Sequence, residues 1–253
     1  IATPAHPEDV VAAVRAAGLA AHPTGIDHGT ITVVSGRIPH EVTTLRRDVE
    51  TDGRRAVIAF ATDWAEDAAR RDFTINALYA DADGRIHDPL GTGLADLAAR
   101  RVRFIGDADA RIREDYLRIF RFFRFSAFYA AGTFDAEALA ACARNRSGIA
   151  RLSAERIEAE TRKIFTAQPP ALTSVVDVML THGFLVSVFG AAPFPGRLDR
   201  WLELEPRLGR DADPLARLAA LLLAGTNDVA RIASRLRIST SDRHRLASFA
   251  AGL

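Results

Sequence analysis

The 253-residue chain is 48% hydrophobic and 26% charged, with one cysteine and a formal net charge of +1. That is enough chain to bury a core in two or more compact units, while the near-neutral balance provides no global field that advertises nucleic acid. The single cysteine, Cys142, excludes an internal disulfide and any cysteine-rich zinc site. The longest apolar run, LARLAALLLAG (215–225), is too short to span a bilayer, and no signal-peptide pattern is present; a cytoplasmic location with no membrane partner is expected. Lys163 is the only lysine, so the positive charge is nearly all arginine. A GC-rich genome accounts for that bias as well as phosphate binding does.

In chain order, TPAHPEDVVAAVRAAG reads as a short helix ending at Gly18. GTITVV (29–34) and HEVTTLR (40–46) alternate β-branched and other residues, and predict strands. Asp63 and Glu66 resemble a capping box opening a helix through WAEDAARRDFTINALYA (64–80). A short strand at GRIHDP, a helix through GLADLAAR and a strand at RVRFIG follow. Beyond residue 107 only helical periodicity remains, over about 109–130, 134–144, 153–166 and 170–188, with shorter helices to the end. Pro193 and Pro195 mark a break before the last part. The expected organisation is an α+β head over 1–107, a helical neck over 108–192 and the start of a helical body over 193–253.

Two clusters carry chemistry. At about 100° per residue, Arg111, Glu114, Asp115, Arg118 and Arg121 share one face of the predicted helix, opposite Ile112, Tyr116, Ile119, Phe120 and Phe123. A solvated face stitched by ion pairs fits that pattern. So does base reading. A carboxylate accepting from the exocyclic amine, beside a guanidinium donating to the ring nitrogen, matches cytosine and adenine and opposes guanine and uracil. The second cluster, ARRDFTINALYAD (69–81), sets Asp72 and Asn76 four apart on a predicted helix, behind Arg70 and Arg71. Ribose hydroxyls and a triphosphate suit these groups; ordinary surface charge suits them equally.

In sequence order, RRDFTINA, DPLGTGLADL, RVRFIGDADARIREDYLRIFRFFRF and RLSAERI resemble the class II nucleotidyltransferases, the family of tRNA nucleotidyltransferases (CCA-adding enzymes) and bacterial poly(A) polymerases. The resemblance runs from Ile1 to about Phe165 and more loosely beyond. It implies a partial polymerase-β-like head followed by helices, and template-independent addition of CCA to tRNA 3′ ends from CTP and ATP with Mg²⁺. Carried over by position, Arg70, Arg71, Asp72 and Asn76 contact sugar and phosphates. Glu114, Asp115 and Arg118 form the base-reading template, and Arg121 continues that nucleotide-binding face. Glu41 lies near the metal carboxylates, and Arg46 faces the triphosphate. RLSAERI implies structural roles for Arg151 and Glu155. The metal-binding Asp pair is expected just before Ile1, so this chain offers no metal ligand set of its own. Gly91 and Gly93, split by Thr92, depart from the family's adjacent glycines. Residues 41–55 fall where the family switches from C to A.

The same motifs serve poly(A) polymerases and enzymes adding only CC or only A, and the residues also allow a non-catalytic tRNA-binding chain. His28 reads as structural, Phe122 and Phe125 as core. Arg197, Arg200, Arg207 and Arg210 suit either an RNA-holding body or a solvated surface. The sequence does not define an oligomeric state.

Overall fold

The computed structural model describes residues 1–52, 55–209 and 211–252, with the backbone alone over 48–52 and 55–58. The chain divides into two compact units, Ile1–Ala95 and Asp96–Leu253.

In the first unit, β1 (Ala2–Thr3), α1 (Pro7–Ala16), β2 (Ala20–Gly25), β3 (Thr30–Ser35) and β4 (Ile38–Thr44) come first. The sheet order is β1-β4-β3-β2; β1 runs parallel to β4 and the other pairs are antiparallel. Pro7 opens α1 in the first turn, where its missing N–H costs nothing. Val10 of α1 packs on Ile31 and Val33, with Val11, Val14 and Val42 around them. The two strands expected here form, displaced by a residue or two. β2 was not expected, because AAHPTG carries Pro23 and Gly25. It is an edge strand whose pairing to β3 shifts register between His22 and Gly25, where proline is tolerated.

A two-stranded ribbon follows, β5 (Arg46–Asp52) with β6 (Arg55–Phe60), then α2 (Trp64–Ala69), a 3₁₀ turn (Thr74–Ala77), and β7 (Tyr79–Ala80) paired with β8 (Ile86–His87). Asp63 caps α2 as expected, though by accepting from Ala65 N at 2.9 Å rather than from the Glu66 N–H that a capping box uses. The helix predicted over 64–80 nevertheless stops at Ala69. Phe73 is extended (φ −122°, ψ 148°) and fully buried, and the Asp72 carboxylate bonds the Phe73 N–H, competing with helical bonding. The stretch 41–55 holds the end of β4 and most of this ribbon; Gly53 and Arg54 lie outside the described residues.

Helix α3 (Gly93–Ala98) forms where predicted. In the second unit RVRFIG is not a strand; only Phe104 makes a bridge. Helices α4 (Ala108–Glu114), α5 (Leu117–Tyr129), α6 (Ala136–Arg144), α7 (Ala154–Ile164), α8 (Ala171–Thr181), α9 (Phe184–Phe189), α10 (Pro195–Leu204), α11 (Pro214–Leu222), α12 (Thr226–Leu236) and α13 (Thr240–Ala251) follow. Two predicted helices are each divided. The 170–188 helix breaks at Gly183, whose φ of +72° suits glycine. The 109–130 helix breaks at Asp115. The core gathers on α5: Phe104, Phe122, Phe123, Phe134 and Phe184 pack together, mostly tilted or edge-to-face, with neighbouring ring centres 5.0–6.0 Å apart. Phe122 and Phe125 are buried, as expected.

Candidate nucleotide-binding residues

In the first unit the arginines converge on a carboxylate that sequence reasoning passed over. Asp67, 2% exposed, accepts from Arg70 Nη2 at 2.9 Å, Arg71 Nη2 at 3.0 Å, Arg46 N at 3.2 Å and Tyr79 Oη at 2.6 Å. Its signal was present, since Asp67 on α2 stands three and four residues before the two arginines that follow that helix. Arg70 also donates to Arg46 O, and Arg71 to Asn76 O. Burial works to raise the Asp67 pKa, but the Tyr79 hydrogen bond and the two guanidinium groups outweigh it and hold the carboxyl below the usual range. Tyr79, half-buried and donating to that carboxylate, is pushed up to about 12. Trp64 stacks on Tyr79 at 5.3 Å and Arg71 lies 5.0 Å over the same ring.

The pair Asp72 and Asn76 meets, though not on an α-helix: the Asn76 amide donates to Asp72 Oδ1 at 2.8 Å across the 3₁₀ turn. Asp72 is only 5% exposed. Arg46 donates its guanidinium to the His28 carbonyl, so the His28 backbone has a structural use. Glu41 pairs with Thr32 in the ladder, beside Thr30 and Thr43, on the sheet face opposite α1. The split glycines both do specific work. Gly91 has φ +69°, and a Cβ at Gly93 would meet Thr74 O at 2.6 Å.

Among the described residues, no three His, Cys, Asp or Glu side chains come together to hold a metal ion. Glu41 is one carboxylate among threonines. Mg²⁺ asks for a near-octahedral oxygen shell, usually with more than one carboxylate or phosphate oxygen in it, so these residues by themselves do not fit it.

In the second unit the base-reading motif is not one helical face. Asp115 (φ −155°, ψ 106°) is extended, and α5 begins two residues later. The wheel that aligned Glu114, Asp115 and Arg118 assumed helical torsions throughout, and one residue's ψ removes them. Glu114 accepts from Arg111 Nη1 at 3.1 Å and from Arg118 Nη1, and Arg118 also donates to Arg111 O at 2.8 Å. Asp115 turns elsewhere. Its Oδ1 accepts from Leu117 N at 3.1 Å, starting α5, and its Oδ2 accepts from Arg156 Nη2 at 2.7 Å. Arg156, in RLSAERI, is a residue that sequence reasoning missed. The side chains of Asp115 and Arg118 are 24% and 14% exposed, at the head of one helix. Arg121 lies 5.5 Å over the Phe125 ring, and Arg124 pairs with buried Glu160 at 2.7 Å. Arg151 sits over Tyr116, and Glu155 pairs with Arg237 at 2.9 Å. Arg197 stacks on Phe194, Arg200 and Arg207 are exposed, and Arg210 lies outside the described residues.

In chain order, then, an α+β unit holding an arginine–carboxylate cluster is followed by helices that carry a broken acid–arginine motif. Residues 1–103 match the family described as the poly A polymerase head domain. The chain is similar to the mitochondrial CCA tRNA nucleotidyltransferase 1 of Danio rerio, 46% identical over 166 residues, covering 64% of this chain and 38% of that protein. It is similar also to the CCA-adding enzyme of Streptococcus gordonii, 37% identical over 212 residues, covering 81% and 51%. Among solved structures, the Bacillus stearothermophilus CCA-adding enzyme in complex with CTP superposes with a TM-score of 0.80 at 27% identity, over 100% of this chain and 60% of that one. The resemblance carried by the motifs therefore holds. The chain spans about half or less of the length of these curated relatives.

Proposed function

We propose that this chain carries the nucleotide-selecting part of a template-independent RNA nucleotidyltransferase that adds CCA to tRNA 3′ ends from CTP and ATP. The observation that carries the reading is the break at Asp115. It takes Asp115 out of the helix, so that an acidic and a basic residue share one short turn at the head of α5, where Arg118 N donates to Asp115 O at 3.0 Å. The Asp115 carboxylate is held by Arg156 and the Arg118 guanidinium by Glu114. Such a pair complements the Watson–Crick edges of cytosine and adenine. The identities of 37–46% to proteins named for CCA addition support this choice over poly(A) synthesis.

In this reading Arg70 and Arg71 bind the triphosphate while Asp67 holds them in place, with Arg46 beside them. Asp72 and Asn76 meet the ribose, Asp115 and Arg118 select the base, and Glu114, Arg111 and Arg121 support that edge. Glu41 stands on the sheet face available to the reacting groups. The reaction is attack of the primer 3′-hydroxyl on the α-phosphate, with pyrophosphate leaving. Mg²⁺ would supply charge neutralisation, and the described residues offer no ligand set of their own for it. Pro193 and Pro195 support dividing the helical unit into a neck over 108–192 and an RNA-holding body beyond. No helix among the described residues is long and apolar enough to cross a membrane. A cytoplasmic location completes the proposal.

Incubating the full-length protein with tRNA lacking its 3′ end and all four nucleotides, then sequencing the products, tests this. Addition of C, C and A, then arrest, is expected. A poly(A) tract, or tRNA binding without extension, contradicts it.

A further inference from the structure

The helical spacing around Asp115 runs through the break, where the Asp115 carboxylate bonds Leu117 N locally and other elements contact the residues on either side. Tyr116 is the last residue before α5, with φ −61° and ψ −13°, beside the one extended residue of the link. Its ring lies against Gly148 in the 3₁₀ turn Arg146–Arg151. A Cβ on Gly148 would meet three ring carbons at 1.9, 2.1 and 2.3 Å, where ordinary contacts are 3.4–4 Å. Gly148 has no positive φ, so space rather than torsion requires the glycine. The Arg151 guanidinium carbon lies 5.5 Å from the centre of the same ring. On a continuous helix Tyr116 would stand with Ile112, Ile119, Phe120 and Phe123 on the core face. Seated on Gly148, it anchors the link to a different element.

We propose that Tyr116 and Gly148 are a positioning pair that sets the Asp115–Arg118 turn and, through it, the selection of C and A. The inference rests on the function proposed above. Neither residue touches nucleotide in this account. Arg156 orients the Asp115 carboxylate, and the ring–glycine contact orients the backbone that carries it.

The test uses the full-length protein and measures incorporation of each nucleotide, KM for CTP and ATP, and tRNA affinity. Gly148→Ala must move the ring by about 1.5 Å. A displacement of that order at a reacting geometry costs about a hundredfold. The expected result is a fall of roughly tenfold or more in preference for C and A over U and G, with KM for CTP and ATP raised and tRNA affinity unchanged. Tyr116→Phe keeps the ring and should match the wild type. Tyr116→Ala should lose selectivity, and Tyr116→Ala combined with Gly148→Ala should be no worse, because the clash needs the ring. A selective wild type with an equally selective Gly148→Ala variant overturns the pair. If that variant lacks a cooperative melting transition, Tyr116→Ala decides, and wild-type selectivity in it overturns the proposal. A wild type that adds no nucleotide overturns the functional reading itself, a separate result.

Discussion

Asp67 is the residue on which the first cluster depends. Two guanidinium groups flank one buried carboxylate, and the trio keeps a net positive charge toward any phosphate. Replacing Asp67 with alanine strands two partly buried arginines. The loss expected is about 2–3 kcal/mol in denaturant unfolding, below the buried-pair range because Arg70 and Arg71 are 18% and 31% exposed. The same variant should raise KM for the nucleotides. Tyr79→Phe removes one hydrogen bond to a charged group and should cost about 1–2 kcal/mol. Its pH dependence has a definite sign. With the folded pKa pushed up to about 12, Tyr79 stabilises the fold fully below its ordinary pKa near 10. That contribution is lost as pH rises through the folded value. Asp67, held below the usual range, acts oppositely: it stabilises above about pH 4 and is lost as pH falls through its lowered pKa. Subtracting a Tyr79→Phe absorbance titration from the wild type's isolates the Tyr79 transition, which should lie at about 12, above an ordinary tyrosine.

At the scale of elements, the broken helix shows what patterning reads well and what it does not. The apolar side of the 109–130 segment was legible, because Ile112, Ile119, Phe120 and Phe123 recur with helical spacing and are all buried. The break was not legible, because Asp115 and Tyr116 are tolerable helix residues, and the local bond from Leu117 N to Asp115 acts together with distant partners, Arg156 on α7 and Gly148 in the 3₁₀ turn. Residues 64–80 fail for the related reason that a side-chain bond from Asp72 and burial of Phe73 override helical propensity. Arg217 is a third case. Charged and set in an apolar run, it is 2% exposed on α11. It donates to Glu205 at 2.6 Å and to the carbonyls of Phe165 and Ala167 at 2.8 Å. Arg217→Met leaves Glu205 buried without its cation and should cost about 3–5 kcal/mol. Arg217→Met combined with Glu205→Leu should recover most of that in thermal unfolding. Equal losses in the single and double variants would contradict it.

For the molecule as a whole, the change from mixed to helical character was visible in the sequence, but it was read at residue 107, whereas the chain divides between Ala95 and Asp96 and RVRFIG forms no strand. The candidate residues were legible as types and spacings, through RRDFTINA and EDYLR. Their partners were not, because Asp67, Arg156 and Gly148 acquire meaning only once the chain folds. Residues 1–103 match the poly A polymerase head family, and base selection by the helical motif beyond them is the proposal to be tested. The account's central claim is that Asp115 and Arg118 make that selection from protein alone. Single-nucleotide incorporation by the full-length protein on tRNA lacking its end, with wild type beside Asp115→Ala and Arg118→Ala, tests it most directly. A lost hydrogen-bonding pair is worth about 1–3 kcal/mol of base discrimination. Each variant should therefore lose about tenfold to a hundredfold of the preference for C and A over U and G. Variants that still choose C and A as the wild type does would contradict the account.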